Sequence, residues 1–176
     1  MKMIKTVMAG AVAMALVSFG ANAANQGQGI VNFKGTVIDA PCGIAPESAD
    51  QIIDFGQISK AHLNNNGISA KKDVNIKLVN CDLGSGSTAK KSVNVTFNGA
   101  TVDTAKKILG ASNTGAGIVM VGQDGKDVVF GTPTAAIPLK NGENTLHYQA
   151  WVKKAGTAAV TEGAFTAVAD FTLAYN

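Results

Sequence analysis

The chain contains no arginine: all 15 of its basic residues are lysine, set against 12 Asp and Glu. Grips on nucleic acid are built on clustered positive charge and usually on the planar arginine fork, so a nucleic-acid partner is not expected. The pairs Lys71-Lys72, Lys90-Lys91, Lys106-Lys107 and Lys153-Lys154 are spread along the chain without interleaved aromatics, as in solvated loops and protected sheet edges. Histidine and cysteine are equally scarce, two of each. His62 and His147 lie far apart in sequence, with no compact metal-binding spacing and no serine, cysteine or carboxylate arrangement brought to either. No metal, cofactor or catalytic residue is therefore expected, and the chain does not read as an enzyme. Gly84 to Lys91 lacks the Gly-Lys-Ser/Thr ending that a phosphate loop requires.

A long run that is apolar as well as uncharged occurs once, at the start. Lys2 and Lys5 precede the apolar stretch Thr6 to Phe19, and Ala21-Asn22-Ala23 supplies the small residues that a signal peptidase reads. The stretch is too short for a spanning helix of about 20 residues, and polar residues follow it. Residues 1–23 are read as a cleaved secretory signal, which leaves no membrane span in the mature form. Taking those 23 residues from 176 leaves 153, enough for one domain with its own core. Two lysines leave with the signal, so the mature balance is 13 against 12, a net charge of +1. Export also brings Cys42 and Cys81 into an oxidising compartment where they can pair, and a disulfide between them is expected.

What remains reads as strands from end to end: short runs of Val, Ile, Phe and Thr alternate with polar residues and are separated by Gly, Asn, Asp and Ser. No helical period, repeat or linker interrupts them, apart from one helical turn within Gln57 to Leu63. Ile30 to Asp39 and Gln51 to Phe55 are the first two runs. Val74, Ile76 and Leu78 share one face of the next, Val93, Val95 and Phe97 repeat the pattern, and Leu146, Tyr148, Ala150 and Val152 line a longer strand. Asp124-Gly125 and Asn141-Gly142 mark turns, the first closing a hairpin between Ile118–Val121 and Val128–Phe130. The last run, Gly163 to Asn176, aligns Phe165, Ala167, Ala169, Phe171, Leu173 and Tyr175 on one face. About seven short strands with regular turn signals predict a two-sheet sandwich of immunoglobulin-like kind.

Two features are unusual for a sandwich that completes itself. The glycine-rich stretch after Ala24 runs straight into apolar residues, so that Gly27, Gly29, Val31 and Phe33 share one face of an extended arm. At the other end, the last strand stays apolar to its penultimate residue and no strand follows it. An apolar edge left open invites strand addition by another chain.

At this point the residues resemble the major pilins of chaperone–usher pili, the shaft subunits of the P type above all. The likeness runs through Gln26-Gly27-Gln28-Gly29, Gly35 to Cys42, Ile53 to Ser59, Leu78-Val79-Asn80-Cys81 and Val160 to Phe165, up to Tyr175. A penultimate tyrosine matches Tyr175, and a glycine fourteenth from the end matches Gly163. The resemblance implies an all-β, incomplete immunoglobulin-like sandwich lacking its final strand and completed by donor-strand complementation. It divides the chain into a signal peptide (1–23), a donor-strand extension (24–35) and a pilin domain (36–176). A periplasmic chaperone would fill the groove beside Gly163, Phe165, Ala167, Ala169, Phe171, Leu173 and Tyr175 and hold the carboxylate of Asn176. At an outer-membrane usher the arm of a neighbouring subunit, with Gly27, Gly29, Val31 and Phe33 facing inward, would replace the chaperone strand. Gly29 matches the family's position where the incoming strand approaches closely. The product would be a surface fimbrium that contributes to cell adhesion.

The alternative within the same class is a minor adaptor or adhesive subunit. Family adhesins carry an extra receptor domain, for which this length leaves no room, and a terminating subunit would lack a usable arm. Trp151, on the face opposite Tyr148, is read as sheet cover, with a contact between subunits as the alternative.

Overall fold

The computed structural model describes residues 29–176, so the secretory signal and the start of the arm, with Gly27, lie outside the described residues. Two units divide at Thr36/Val37. In the first, Ile30, Val31 and Phe33 are exposed and carry no strand hydrogen bonding. The second is a two-layer β-sandwich.

One layer is a five-stranded antiparallel sheet in the order β1-β2-β7-β5-β4, built from β1 (Gly43–Ile44), β2 (Lys72–Cys81), β4 (Leu109–Gly110), β5 (Ala116–Gly122) and β7 (Gly142–Lys154). The other has three strands in the order β6-β3-β8: β6 (Ile137–Pro138), β3 (Ser92–Gly99) and β8 (Ala169–Tyr175). Two short helices, α1 (Pro46–Ala49) and α2 (Lys60–Asn64), lie between β1 and β2. The Ser59 hydroxyl caps α2 by accepting the His62 N–H, and the helix stops at Asn65 and Asn66, the latter at φ 60°. That is the helical turn and loop expected from the sequence.

The period-two alternation of the long strands places their apolar rows between the layers. Val93, Val95 and Phe97 of β3 and Leu146, Tyr148, Ala150 and Val152 of β7 are all buried. Phe97 and Tyr148 meet edge to face, with ring centroids 4.8 Å apart. Outside, Trp151 lies opposite Val119, which is buried, and Lys71 Nζ sits 4.7 Å from the tryptophan ring centroid. The indole lies on the outer side of the sheet.

Cys42 and Cys81 form the expected disulfide, tying the approach to β1 to the end of β2. The 39-residue separation sets its worth at about 4 kcal/mol in the chain-entropy account. Replacing both cysteines by serine should lower the free energy of unfolding by that order, measured in denaturant on a subunit whose open edge has been filled.

Three runs read as strands are not regular strands. Ile30–Asp39 and Gln51–Phe55 form no ladder, and β8 begins at Ala169, so Gly163–Val168 forms none either. The alternating pattern is present in each; a partner edge is not, and a strand needs both. The hairpin after β5 is reduced to a turn with a single bridge, Val121 to Asp127, and the Val128 N–H donates to the Met120 carbonyl. Among the described residues, the eight strands include three of only two residues.

Candidate functional site: an open apolar trough beside the last strand

Among the described residues, β8 pairs with β3 on one side only. Ser92 and Asn176 exchange both backbone hydrogen bonds, at 3.1 and 2.9 Å. Such pairs alternate along an antiparallel ladder. Asp170, Thr172 and Ala174 therefore aim their backbone groups at β3, while the N–H and C=O of Ala169, Phe171, Leu173 and Tyr175 aim at the free edge.

Burial shows the same asymmetry in the side chains. Opposite the fully buried Val93, Val95 and Phe97, the β8 partners Tyr175, Leu173 and Phe171 are only half-buried, although they pack on the core. Phe165, Ala167 and Ala169 continue that half-buried row. The apolar core is thus left uncovered along one line. Burial pushes the Tyr175 phenol up from its ordinary value.

The uncovered line is a trough. A hollow of about 600 Å³ lies between β8 with its approach and the segment at Gln51–Phe55, floored by Phe97, Met120 and Ala150. A second, of about 740 Å³, lies between Ile53–Ile58 and Val160–Phe165. Both are lined by Ile53 and Phe55, so the two hollows adjoin along that segment.

Gly163, Phe165, Ala167, Ala169 and Phe171 all lie on this bank. Leu173 and Tyr175 extend the same face of β8 beyond it. Gly163 takes φ +146°, and a methyl group there would meet only Thr114 Cγ2 at 3.7 Å, so its constraint is backbone conformation, not space. Asn176 ends the strand with its main-chain oxygen accepting the N–H groups of Lys91 and Ser92, at 2.7 and 3.1 Å.

The facing bank is a functional element the sequence does not reveal: the alternation of Ile53 and Phe55 marks a buried face but not what lies across from it. The floor was read only as core. Elsewhere, His62 Nε2 lies 3.0 Å from the Ile68 carbonyl and His147 Nδ1 lies 2.9 Å from Asn75 Oδ1, each serving local structure. Among the described residues no helix is long and apolar enough to cross a membrane, and no group of His, Cys, Asp or Glu is arranged to hold a metal.

A sandwich whose last strand presents a free hydrogen-bonding edge over an open apolar trough is an incomplete one, the fold of a structural subunit and not of a catalyst's cleft. The comparisons with known proteins agree. The fimbrial protein family matches residues 31–176. KS71A fimbrillin of Escherichia coli is 53% identical over 186 aligned positions, covering 98% of this chain and all of the relative. Among solved structures, a subunit of a chaperone–usher pilus superposes with TM-score 0.80 at 50% identity, covering 86% of this chain and 97% of its own. The P pilus rod subunit PapA superposes with TM-score 0.73 at 49% identity, covering 78% and 100%. The chain belongs to the fimbrial protein family. It is a structural subunit of a cell-surface fimbria, and its sandwich is the incomplete immunoglobulin-like fold.

Proposed function

We propose that the trough accepts an extended β-strand from the arm, residues 24–35, of a second copy of this chain, and that repetition of this step builds the filament. The half-buried apolar face of β8 beneath a free backbone edge carries the reading. An added strand would pair with the outward groups of β8 and bury the knobs below it, each worth roughly 1.5–3 kcal/mol. The pilus and rod subunits it resembles support a filament of neighbouring subunits. Before assembly the trough needs cover, and a periplasmic pilus chaperone lending a strand, followed by hand-over at an outer-membrane usher, supplies it. Residues 1–23 serve export, and 36–176 form the accepting domain.

Side-chain size selects the register. Along the bank the inward row reads Phe165, Ala167, Ala169, Phe171, large at both ends and small in the middle. The inward row of the arm reads Gly29, Val31, Phe33, Gly35, small at both ends and large in the middle. Laid antiparallel, Phe33 faces Ala167, Val31 faces Ala169, and the two glycines face the two phenylalanines. Val37, fully exposed and in phase with this row, then falls opposite Gly163. A shift by two residues sets Val31 against Phe171 and leaves Gly35 beside Ala167, a collision next to a void. A parallel strand matches the central four positions but drives Val37 onto Leu173.

Deleting Ala24–Phe33 tests the reading. The truncated subunit should still be captured by the chaperone, since its trough is intact, yet add nothing to its neighbour, and electron microscopy should show no fibre growth. Fibres of normal length from the truncated chain would rule the arm out.

A further inference from the structure

The bank formed by Glu162–Phe165 is held at its two ends and loose between them. Before it, the backbone of Val160 is gripped by the Asn64 side chain, which donates to the Val160 carbonyl at 3.1 Å and accepts its N–H at 2.8 Å. The Thr161 N–H donates to the Thr114 carbonyl at 3.0 Å. Beyond it, Thr166 is bonded to Ser112 through backbone and side chain. Among the described residues, no backbone hydrogen bond joins Glu162, Gly163, Ala164 or Phe165 to anything. Their one polar link across the trough is the ion pair of Glu162 with Lys60 Nζ at 3.4 Å, and Lys60 is the first residue of α2 on the opposite bank.

We propose that the Lys60–Glu162 pair is a latch across this end of the trough that slows the entry of an incoming strand. The inference rests on the strand-addition reading. Both residues line the 740 Å³ hollow that the proposed register assigns to Val37, so a strand seated there passes between the two banks they join. Phe55, Ile58, Leu63 and Phe165 below offer an apolar seat, and the latch adds nothing to it. It only ties the stretch Glu162–Phe165, which lies between the anchored Val160–Thr161 and Thr166 and has no backbone hydrogen bond of its own. Both side chains are exposed, at 52% and 89%, so the pair is weak and screened by salt. A weak tie suits a latch that must open for every subunit added.

The test uses the full-length mature subunit purified in its chaperone-capped complex, with a fluorescent peptide of residues 24–37 as the incoming strand. Glu162→Gln and Lys60→Gln should each speed peptide entry by about two- to fivefold, the range an exposed ion pair controls. The double exchange Lys60→Glu with Glu162→Lys should return the rate toward wild type. Raising the salt to 0.5 M should accelerate wild type and leave the Gln variants nearly unchanged relative to one another. Equal entry rates for all variants, or slower entry in the Gln variants, overturn the latch alone. Failure of the peptide to enter even the wild-type subunit overturns strand addition, and the latch with it.

Discussion

Replacing Ala167 by phenylalanine is expected to block strand addition while leaving the subunit folded. The new ring would occupy the part of the trough that the proposed register reserves for Phe33. Losing the burial of Phe33 costs about 1.5–3 kcal/mol, and forcing the strand over an overfilled site costs about 1–3 kcal/mol more. Together these weaken the arm by roughly a hundredfold or more. The measurement is competition between peptides of residues 24–37 for the chaperone-capped subunit. The control lies in the partner: a Phe33→Ala peptide should bind the Ala167→Phe subunit better than the wild-type peptide does, although it binds the wild-type subunit worse. Ala169→Phe should be relieved in the same way by Val31→Gly, and not by Phe33→Ala. If the unaltered peptide binds Ala167→Phe as tightly as wild type, Phe33 does not sit there.

The second large effect concerns stability. A mature subunit freed of its chaperone leaves the row from Phe165 to Tyr175 half-wet and the edge of β8 unpaired, conditions for a low melting temperature and for aggregation. Adding the 24–37 peptide should raise the melting temperature by more than about 10 °C. Binding that stabilises by several kcal/mol shifts a domain of this size by roughly 2–4 °C per kcal/mol. A subunit that melts cooperatively at the same temperature with and without peptide, and stays monomeric throughout, would show that the sandwich needs no borrowed strand.

Much of the sandwich was legible because burial on one face imposes a period of two. The rows Val93/Val95/Phe97 and Leu146/Tyr148/Ala150/Val152 follow directly from alternation, and the disulfide from two cysteines in an exported chain. Alternation was a poorer guide wherever the partner strand is missing. Ile30–Asp39, Gln51–Phe55 and Gly163–Val168 all carry strand-like patterns, yet none is a regular strand in the isolated subunit. The pattern records which face is to be buried. Whether a ladder forms depends on a neighbouring edge, and for these segments the neighbour belongs to another molecule under the proposed function.

The facing bank illustrates the limit from the other side. Ile53 and Phe55 are ordinary apolar residues in sequence, and nothing local ties them to Phe165 or Ala167, more than 100 positions later. Lys60 and Glu162 are likewise two unremarked charges until the chain brings them to 3.4 Å. Long-range closure creates both features, and no short-range signal encodes it.

From its residues alone this protein had an exported, disulfide-bearing all-β character, an apolar last strand and a glycine-punctuated arm, because each of these is written in composition or in a period of two. Three-dimensional closure alone decided that Gln51–Ile58 stands across from the last strand and how wide the gap between them is. Those properties depend on the distance between segments remote in sequence, which is set by the packing of the two sheets and not by the side chains of either segment.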